Sequence, residues 1–258
     1  IVPLTAGSVQ VVFDVPTSLA SEYDFIPGQY VNLSAVINGA EERRSYSICS
    51  GLGEKLAVAI KRVNNGKFSN WANDDLEVGM SVYVAPPMGN FQLDSVSKNI
   101  VAFAAGSGIT PIVSMAKSLE QKGGTLHLFY GNRAQKDIMF RSELEGLSNT
   151  RTLHYLSAES VEGFRVGRLS KENISAIIKE NLELLKADGF FLCGPETMIQ
   201  SAIEVLTLFG VPKNKINYEL YTTPVLLIED KPVEVNHFEG ESNVTVILDD
   251  ETIELKLS

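Results

Sequence analysis

Two patterns of hydrophobic and polar positions divide the chain near residue 98. Before that point, short runs rich in β-branched and aromatic residues fall at 11–13, 30–33, 56–60 and 82–84, separated by turn residues such as Pro27-Gly28 and Pro86-Pro87-Met88-Gly89. Short strands spaced in this way predict a small antiparallel β-barrel over 1–97. After it, apolar runs at 100–105, 126–130, 152–156, 190–193 and 216–221 alternate with helical stretches near 111–122, 140–147, 170–186 and 196–209. Alternating strands and helices predict an α/β doubly wound parallel sheet over 98–222, whose ligand crevice lies at the carboxyl ends of its strands.

The periodicity is lost over 223–242, where Pro224 and Pro232 stand among acidic residues, as expected of a linker. Alternation returns at 244–248 and 252–257 on either side of Asp249-Asp250-Glu251, the pattern of a hairpin. A lone hairpin is marginal in water, so 243–258 is expected to open a further domain, and the chain reads as an internal piece of a longer protein.

A length of 258 residues suits two domains. No apolar run reaches the roughly eighteen residues of a membrane span, and a net charge of -10 disfavours nucleic acid as a partner. With only Cys49 and Cys193 there is no disulfide framework, which points to a reducing, cytoplasmic setting. The three histidines, His127, His154 and His237, show no metal-ligand spacing and are read as structural or exposed.

Four short motifs carry candidate chemistry. In Arg43-Arg44-Ser45-Tyr46-Ser47, strand alternation puts Arg44 and Tyr46 on one face. A guanidinium there can grip a phosphate, the phenol can stack on a flat conjugated ring, and Ser47 can hydrogen-bond a ring nitrogen; an ordinary exposed strand would read the same. Gly66-Lys67-Phe68-Ser69 precedes a short helix whose N-terminus could meet a pyrophosphate, or could simply be capped by Ser69. Gly106-Ser107-Gly108-Ile109-Thr110-Pro111 lies between a strand and a helix, the setting of a nucleotide-phosphate cradle as well as of a plain turn. Cys193-Gly194-Pro195 ends a later strand, where a small soft side chain could lie against a nicotinamide or be a buried structural thiol.

Taken in this order, the motifs resemble those of the ferredoxin-NADP reductase superfamily. Arg43 to Ser50, Phe68 to Asp74, Tyr130-Gly131-Asn132-Arg133 and Pro86 to Phe91 are most similar to the type of reductase that serves a phenylacetyl-CoA epoxidase. The resemblance implies FAD and NAD(P)H as cofactors and an oxygenase component as partner. It also implies a plant-type 2Fe-2S ferredoxin domain whose first strands are the hairpin and whose cluster cysteines lie past Ser258. By the same resemblance Arg44 and Ser45 bind the flavin, Tyr46 covers one isoalloxazine face, and Ser47 bonds near N5. Ala59, Ile60 and Lys61 line the flavin, and Lys67, Phe68 and Ser69 form its second phosphate loop. The run from Gly106 to Pro111 holds the nicotinamide cofactor's phosphates, and Cys193, Gly194 and Pro195 sit by the nicotinamide. Glu219 and Tyr221 match the acidic and aromatic positions at the flavin's other face. Asn132, Arg133 and Ser157 fall at the adenosine end, where Ala158 replaces an arginine common in NADPH-dependent relatives and Arg133 is the substitute that favours NADPH. Ser47, Cys193, Glu219 and Tyr221 are the expected catalytic group. The competing readings are a reductase for free flavin or another oxygenase, and a non-catalytic nucleotide-binding protein.

Overall fold

A computed structural model of the chain describes residues 1–221, 242–248 and 251–257. Over the first part, β1 (Val2–Thr5), β2 (Ser8–Val12) and β5 (Ala57–Lys61) form one antiparallel sheet. A second antiparallel sheet holds β4 (Ala40–Ser47), β3 (Tyr30–Ile37) and β6 (Tyr83–Val84) in that order. The bridge between Ile48 and Val58 joins the two sheets. The β3–β4 hairpin turns through Asn38-Gly39, both at positive φ, which matches the strand twist that a two-residue turn requires. Alternation along β3 sends Val31, Leu33 and Ile37 inward and leaves Val36 exposed. Helix α1 (Lys67–Asp74) covers this core with Phe68 and Ala72.

The second part is one six-stranded, wholly parallel sheet. Its strands are β7 (Asn99–Ala105), β8 (Thr125–Asn132), β9 (Thr150–Leu156), β10 (Arg165–Val166), β11 (Gly189–Gly194) and β12 (Ile216–Leu220), in the order β10-β9-β8-β7-β11-β12. The period of two is plain in β7: Ile100, Ala102 and Ala104 face α2 (Ile109–Lys122) and α3 (Arg141–Gly146). Val101 and Phe103 face α4 (Lys171–Glu180) and α5 (Glu196–Leu208). Strand order reverses between β7 and β11, the point where doubly wound sheets open a ligand crevice. Cys49, Ala57, Ala59, Phe91 and Leu93 of the first part pack into the α2 face, so one apolar core runs across the boundary between the two halves.

Three expectations need correction. The helix expected over 170–186 ends at Glu180, because Asn181 leaves the helical conformation and its side-chain amide bonds back to the Ile177 carbonyl; a 3-10 turn, Leu182–Lys186, follows. The strands expected in the parallel sheet omit its edge strand β10, which has no apolar run to announce it because both of its residues are exposed. The strands β13 (Ser242–Leu248) and β14 (Glu251–Leu257) pair antiparallel in a separate unit, with Leu248 opposite Glu251, so Glu251 belongs to the ladder rather than to the turn. Apart from Ser242, the expected linker lies outside the described residues. No helix among the described residues is long and apolar enough to cross a membrane.

Candidate functional site

Strand β4 presents Glu42, Arg44 and Tyr46 on one face, and α1 begins directly opposite. Arg44 Nη2 lies 2.9 Å from Glu42 Oε2, and Lys67 Nζ lies 2.8 Å from Glu42 Oε1. The Lys67 bond, followed by the charges of Lys67 and Arg44, holds the Glu42 carboxyl below the usual carboxylate range. Tyr46 packs on Phe68 with ring centroids 5.6 Å apart, and Phe68 meets Trp71 edge-on at 5.4 Å. Two motifs more than twenty residues apart in sequence thus make one platform, with two cations beside an aromatic ring.

The helix starts earlier than Ser69, contrary to the capping alternative. Its first residue is Lys67, its flanking residue Gly66 has no capping side chain, and Ser69 lies inside the first turn. Ser69 Oγ instead accepts the Val63 N–H at 3.0 Å and so shapes the loop that leads in. The free N–H groups of this first turn and its dipole favour an anion at the position where Arg44 and Lys67 converge.

At the other side of the crevice, Gly106 takes φ +56°, and a Cβ built there would meet only Lys61 Nζ, at 3.8 Å. Gly108 is constrained differently: a Cβ would fall 2.1 Å from the Cys193 carbonyl oxygen, so only glycine lets α2 start against the end of β11. Lys61, Arg62 and Lys136 also line a cleft of about 490 Å³ between the β1–β2 turn and the Gln135–Asp137 turn.

Between these two sides lies a chain of hydroxyls. Ser47 Oγ is 2.8 Å from Tyr221 Oη and donates to Glu219 Oε2 at 3.1 Å. Tyr221 Oη is 2.9 Å from Thr110 Oγ1, which donates to the Ser107 carbonyl at 3.0 Å. With Glu219 ionised, the single Tyr221 proton must serve both Ser47 and Thr110. With Glu219 protonated, each of the four contacts has its own proton. Burial pushes the Glu219 carboxyl up to about 7, the Ser47 hydrogen bond opposing it. Cys193 stands opposite Glu219 in the β11–β12 ladder, and burial raises its thiol, keeping it protonated.

The remaining expected residues divide. Gly194, at φ +154°, lies against Ala105 and Met198, and Pro195 flanks the start of α5. Asn132 is buried at the end of β8 with neither amide atom partnered, while Arg133 and Ser157 are exposed beside it. The backbone carbonyls of Asn132 and Arg133 accept the N–H groups of Ser157 and Ala158. Ser45 points away from the platform and donates to Asn32 Oδ1 at 2.6 Å. Ala59, Ile60, Phe68, Ile109 and Pro111 are buried packing residues, Ile60 and Phe68 within the barrel core. Glu42 was legible only by extending the alternation of Arg44 and Tyr46 back one step. Among the described residues no group of three or more His, Cys, Asp or Glu side chains could hold a metal.

Residues 5–93 match the oxidoreductase FAD-binding domain, and residues 103–204 match the oxidoreductase NAD-binding domain. The chain is 32% identical to the ferredoxin reductase component of 3-ketosteroid-9-alpha-monooxygenase from Rhodococcus rhodochrous, over 95% of this chain and 70% of that protein. It belongs to the ferredoxin reductase superfamily. It is 33% identical to a component protein of 1,2-phenylacetyl-CoA epoxidase from Escherichia coli K12, over 85% of this chain, and spans 65% of that relative's length. The FAD/NAD-binding domain of nitric oxide dioxygenase from Vibrio cholerae shares the fold, with a TM-score of 0.74, 23% identity and coverage of 85% of this chain and 94% of that one.

The side chains present fit the two cofactors of the superfamily. The uncapped α1 terminus with Arg44 and Lys67 suits a flavin pyrophosphate, Gly106 leaves room for a second phosphate, and the unpartnered Asn132 amide offers donor and acceptor at the crevice.

Proposed function

We propose that this chain accepts a hydride from NAD(P)H onto bound FAD and passes the electrons on singly, through a 2Fe-2S centre, to an oxygenase component. The observation that carries this reading is the meeting of Ser47, from the flavin-side strand, with Thr110, Cys193, Glu219 and Tyr221 at the mouth of the parallel sheet. FAD, when bound, converts a two-electron donor into a source of single electrons.

The chain's own residues bind, orient and handle protons. Arg44 and Lys67 hold the flavin phosphates, and Tyr46 packs on the ring. Gly106 and the α2 terminus receive the dinucleotide phosphates, and fully buried Cys193 gives the nicotinamide a small, dry neighbour. Ser47 and Glu219 hold a proton at the place where a flavin nitrogen would be protonated. Arg133, exposed at the end of β8, favours NADPH because a guanidinium there can meet a 2'-phosphate. Tyr221 lies across the hydroxyl chain and must turn aside for a nicotinamide to stack.

The boundaries that go with this reading are 1–97 for flavin, 98–222 for dinucleotide, 223–242 as linker and 243–258 as the opening of a ferredoxin domain. The paired β13–β14 hairpin and the greater length of the relatives support the last of these. A phenylacetyl-CoA epoxidase is the oxygenase favoured by the likeness to the Escherichia coli protein. A cytoplasmic setting suits two free, buried cysteines.

The test compares this chain with one extended through the cluster cysteines. Both should reduce ferricyanide with NAD(P)H, and only the longer one should drive an oxygenase component. Equal oxygenase rates from the two would mean that electrons leave directly from the flavin, and the relay would be wrong.

A further inference from the structure

Lys117 is a buried cation outside the hydroxyl chain, 8% exposed in the middle of α2. Its ammonium lies 2.9 Å from Glu54 Oε2 and 2.6 Å from Glu143 Oε1. Glu143 stands on α3, in the same half as Lys117. Glu54 belongs to the loop after β4 in the flavin half, where it also accepts the Gly51 N–H at 2.8 Å. The bond from Lys117 to Glu54 therefore crosses between the halves, whereas the bond to Glu143 does not.

Two further polar bonds run alongside it. Ser114 Oγ donates to the Ser50 carbonyl at 2.6 Å, and Gln121 Nε2 donates to the Leu52 carbonyl at 3.1 Å. Positions 114, 117 and 121 share one helix face, so α2 carries a polar stripe laid against the loop 50–54. The fit is close: a Cβ on Gly51 would fall 2.9 Å from Lys117 Cβ. Despite burial, which alone would lower it, the two carboxylates raise the Lys117 ammonium above its ordinary value, so it stays charged.

The loop begins three residues after Ser47, and the stripe begins four residues after Thr110. We infer that Lys117 is a positioning residue for hydride transfer: by pairing with Glu54 across the boundary it fixes the dinucleotide-side turn and Thr110 relative to the strand end that carries Ser47. This rests on the proposed function, since it assigns a reaction geometry to be held. The rate of such a step falls steeply when reacting atoms are displaced, even by a change remote from the chemistry.

The test is stopped-flow reduction of the FAD-loaded protein by NADPH, measuring the limiting rate separately from cofactor affinity. Lys117→Met should retain FAD and bind NADPH within about twofold of the parent, yet lose about 10- to 100-fold in limiting rate. Glu54→Gln, an isosteric change at a partly exposed side chain, should lower the limiting rate in the same way but less, and Lys117→Arg should restore part of it. Glu143→Gln should leave it within about twofold, because that bond does not cross the boundary. Should Lys117→Met fail to fold, Glu54→Gln against Glu143→Gln decides. Equal limiting rates in those two variants, or a Lys117→Met protein that folds and reduces its flavin at the parent rate, would overturn the inference. A parent protein whose flavin is not reduced at all would instead overturn the proposed function.

Discussion

The hydroxyls of Ser47 and Tyr221, 174 positions apart in sequence, lie 2.8 Å from each other at the seam between the two halves. In the proposed reaction geometry, Tyr221 occupies ground that a nicotinamide stacked beside Cys193 would need. If the open arrangement is only a minor population, apparent affinity falls by that fraction. Tyr221→Ser should tighten NADP+ binding, by about tenfold if the open form is about a tenth of the whole. Equilibrium titration of the flavin spectrum would measure it, and unchanged affinity would show that the ring does not compete.

Glu219 makes the stability of the protein depend on pH. Its carboxyl is raised from 4.5 to about 7, so between these values the folded chain binds more protons than the unfolded one. Stability should be highest below 4.5 as far as this group is concerned, fall as pH rises through the window, and level off above about 7. The full effect is of order 3 kcal/mol. Denaturant midpoints across this range should show the slope in the parent and lose it in Glu219→Gln. Persistence of the same slope in the variant would assign it to other groups.

Arg44 and Lys67 share Glu42 as their common anion. Arg44→Ala should weaken FAD binding by about 1.5 to 3 kcal/mol, roughly tenfold or more. Glu42→Gln should act in the opposite direction, since a pyrophosphate has to take the two cations from this carboxylate and then lie beside it. Fluorescence titration of the flavin-free protein would read both. Tighter binding in Arg44→Ala, or weaker binding in Glu42→Gln, would contradict the placement of the phosphates.

Arg133→Ala should lower kcat/KM for NADPH relative to NADH. If the ratio does not fall, the 2'-phosphate is read elsewhere or not at all.

The strands of the parallel sheet were open to reading as continuous apolar runs, since a strand buried on both faces, like Ile100 to Ala105, shows no polar alternation; which residues meet α2 and which meet α4 and α5 then follows from the two-residue period of any strand. The same rule placed Arg44 with Tyr46. What escaped depends on partners remote in sequence. Nothing near Lys117 signals that Glu54 and Glu143 will meet it, and a lysine between two threads of chain looks like any exposed helix lysine. Ser69 has the side chain of an N-cap, but its hydroxyl is taken by Val63, so the helix opens two residues earlier. The strand β10 has two residues and both are exposed, which leaves no hydrophobic pattern to find.

Gly108→Ala tests the packing that places the dinucleotide turn. Its Cβ would collide with the Cys193 backbone rather than with a flexible side chain, so the strand end or α2 must move. A loss of about 1 to 3 kcal/mol in stability is expected, the usual cost of overpacking. Thermal unfolding would measure it, and a neutral change would mean that α2 and β11 are not in this register.

The central claim, that one crevice brings a nicotinamide to a bound flavin, is tested most directly by anaerobic titration of the purified, FAD-loaded protein with NADPH, followed in the visible flavin band. Stoichiometric bleaching, one nicotinamide oxidised per flavin, is the expected result. A protein that binds both cofactors and stays yellow through a large excess of NADPH and of NADH would contradict it, and the chain would then be a nucleotide-binding protein without turnover.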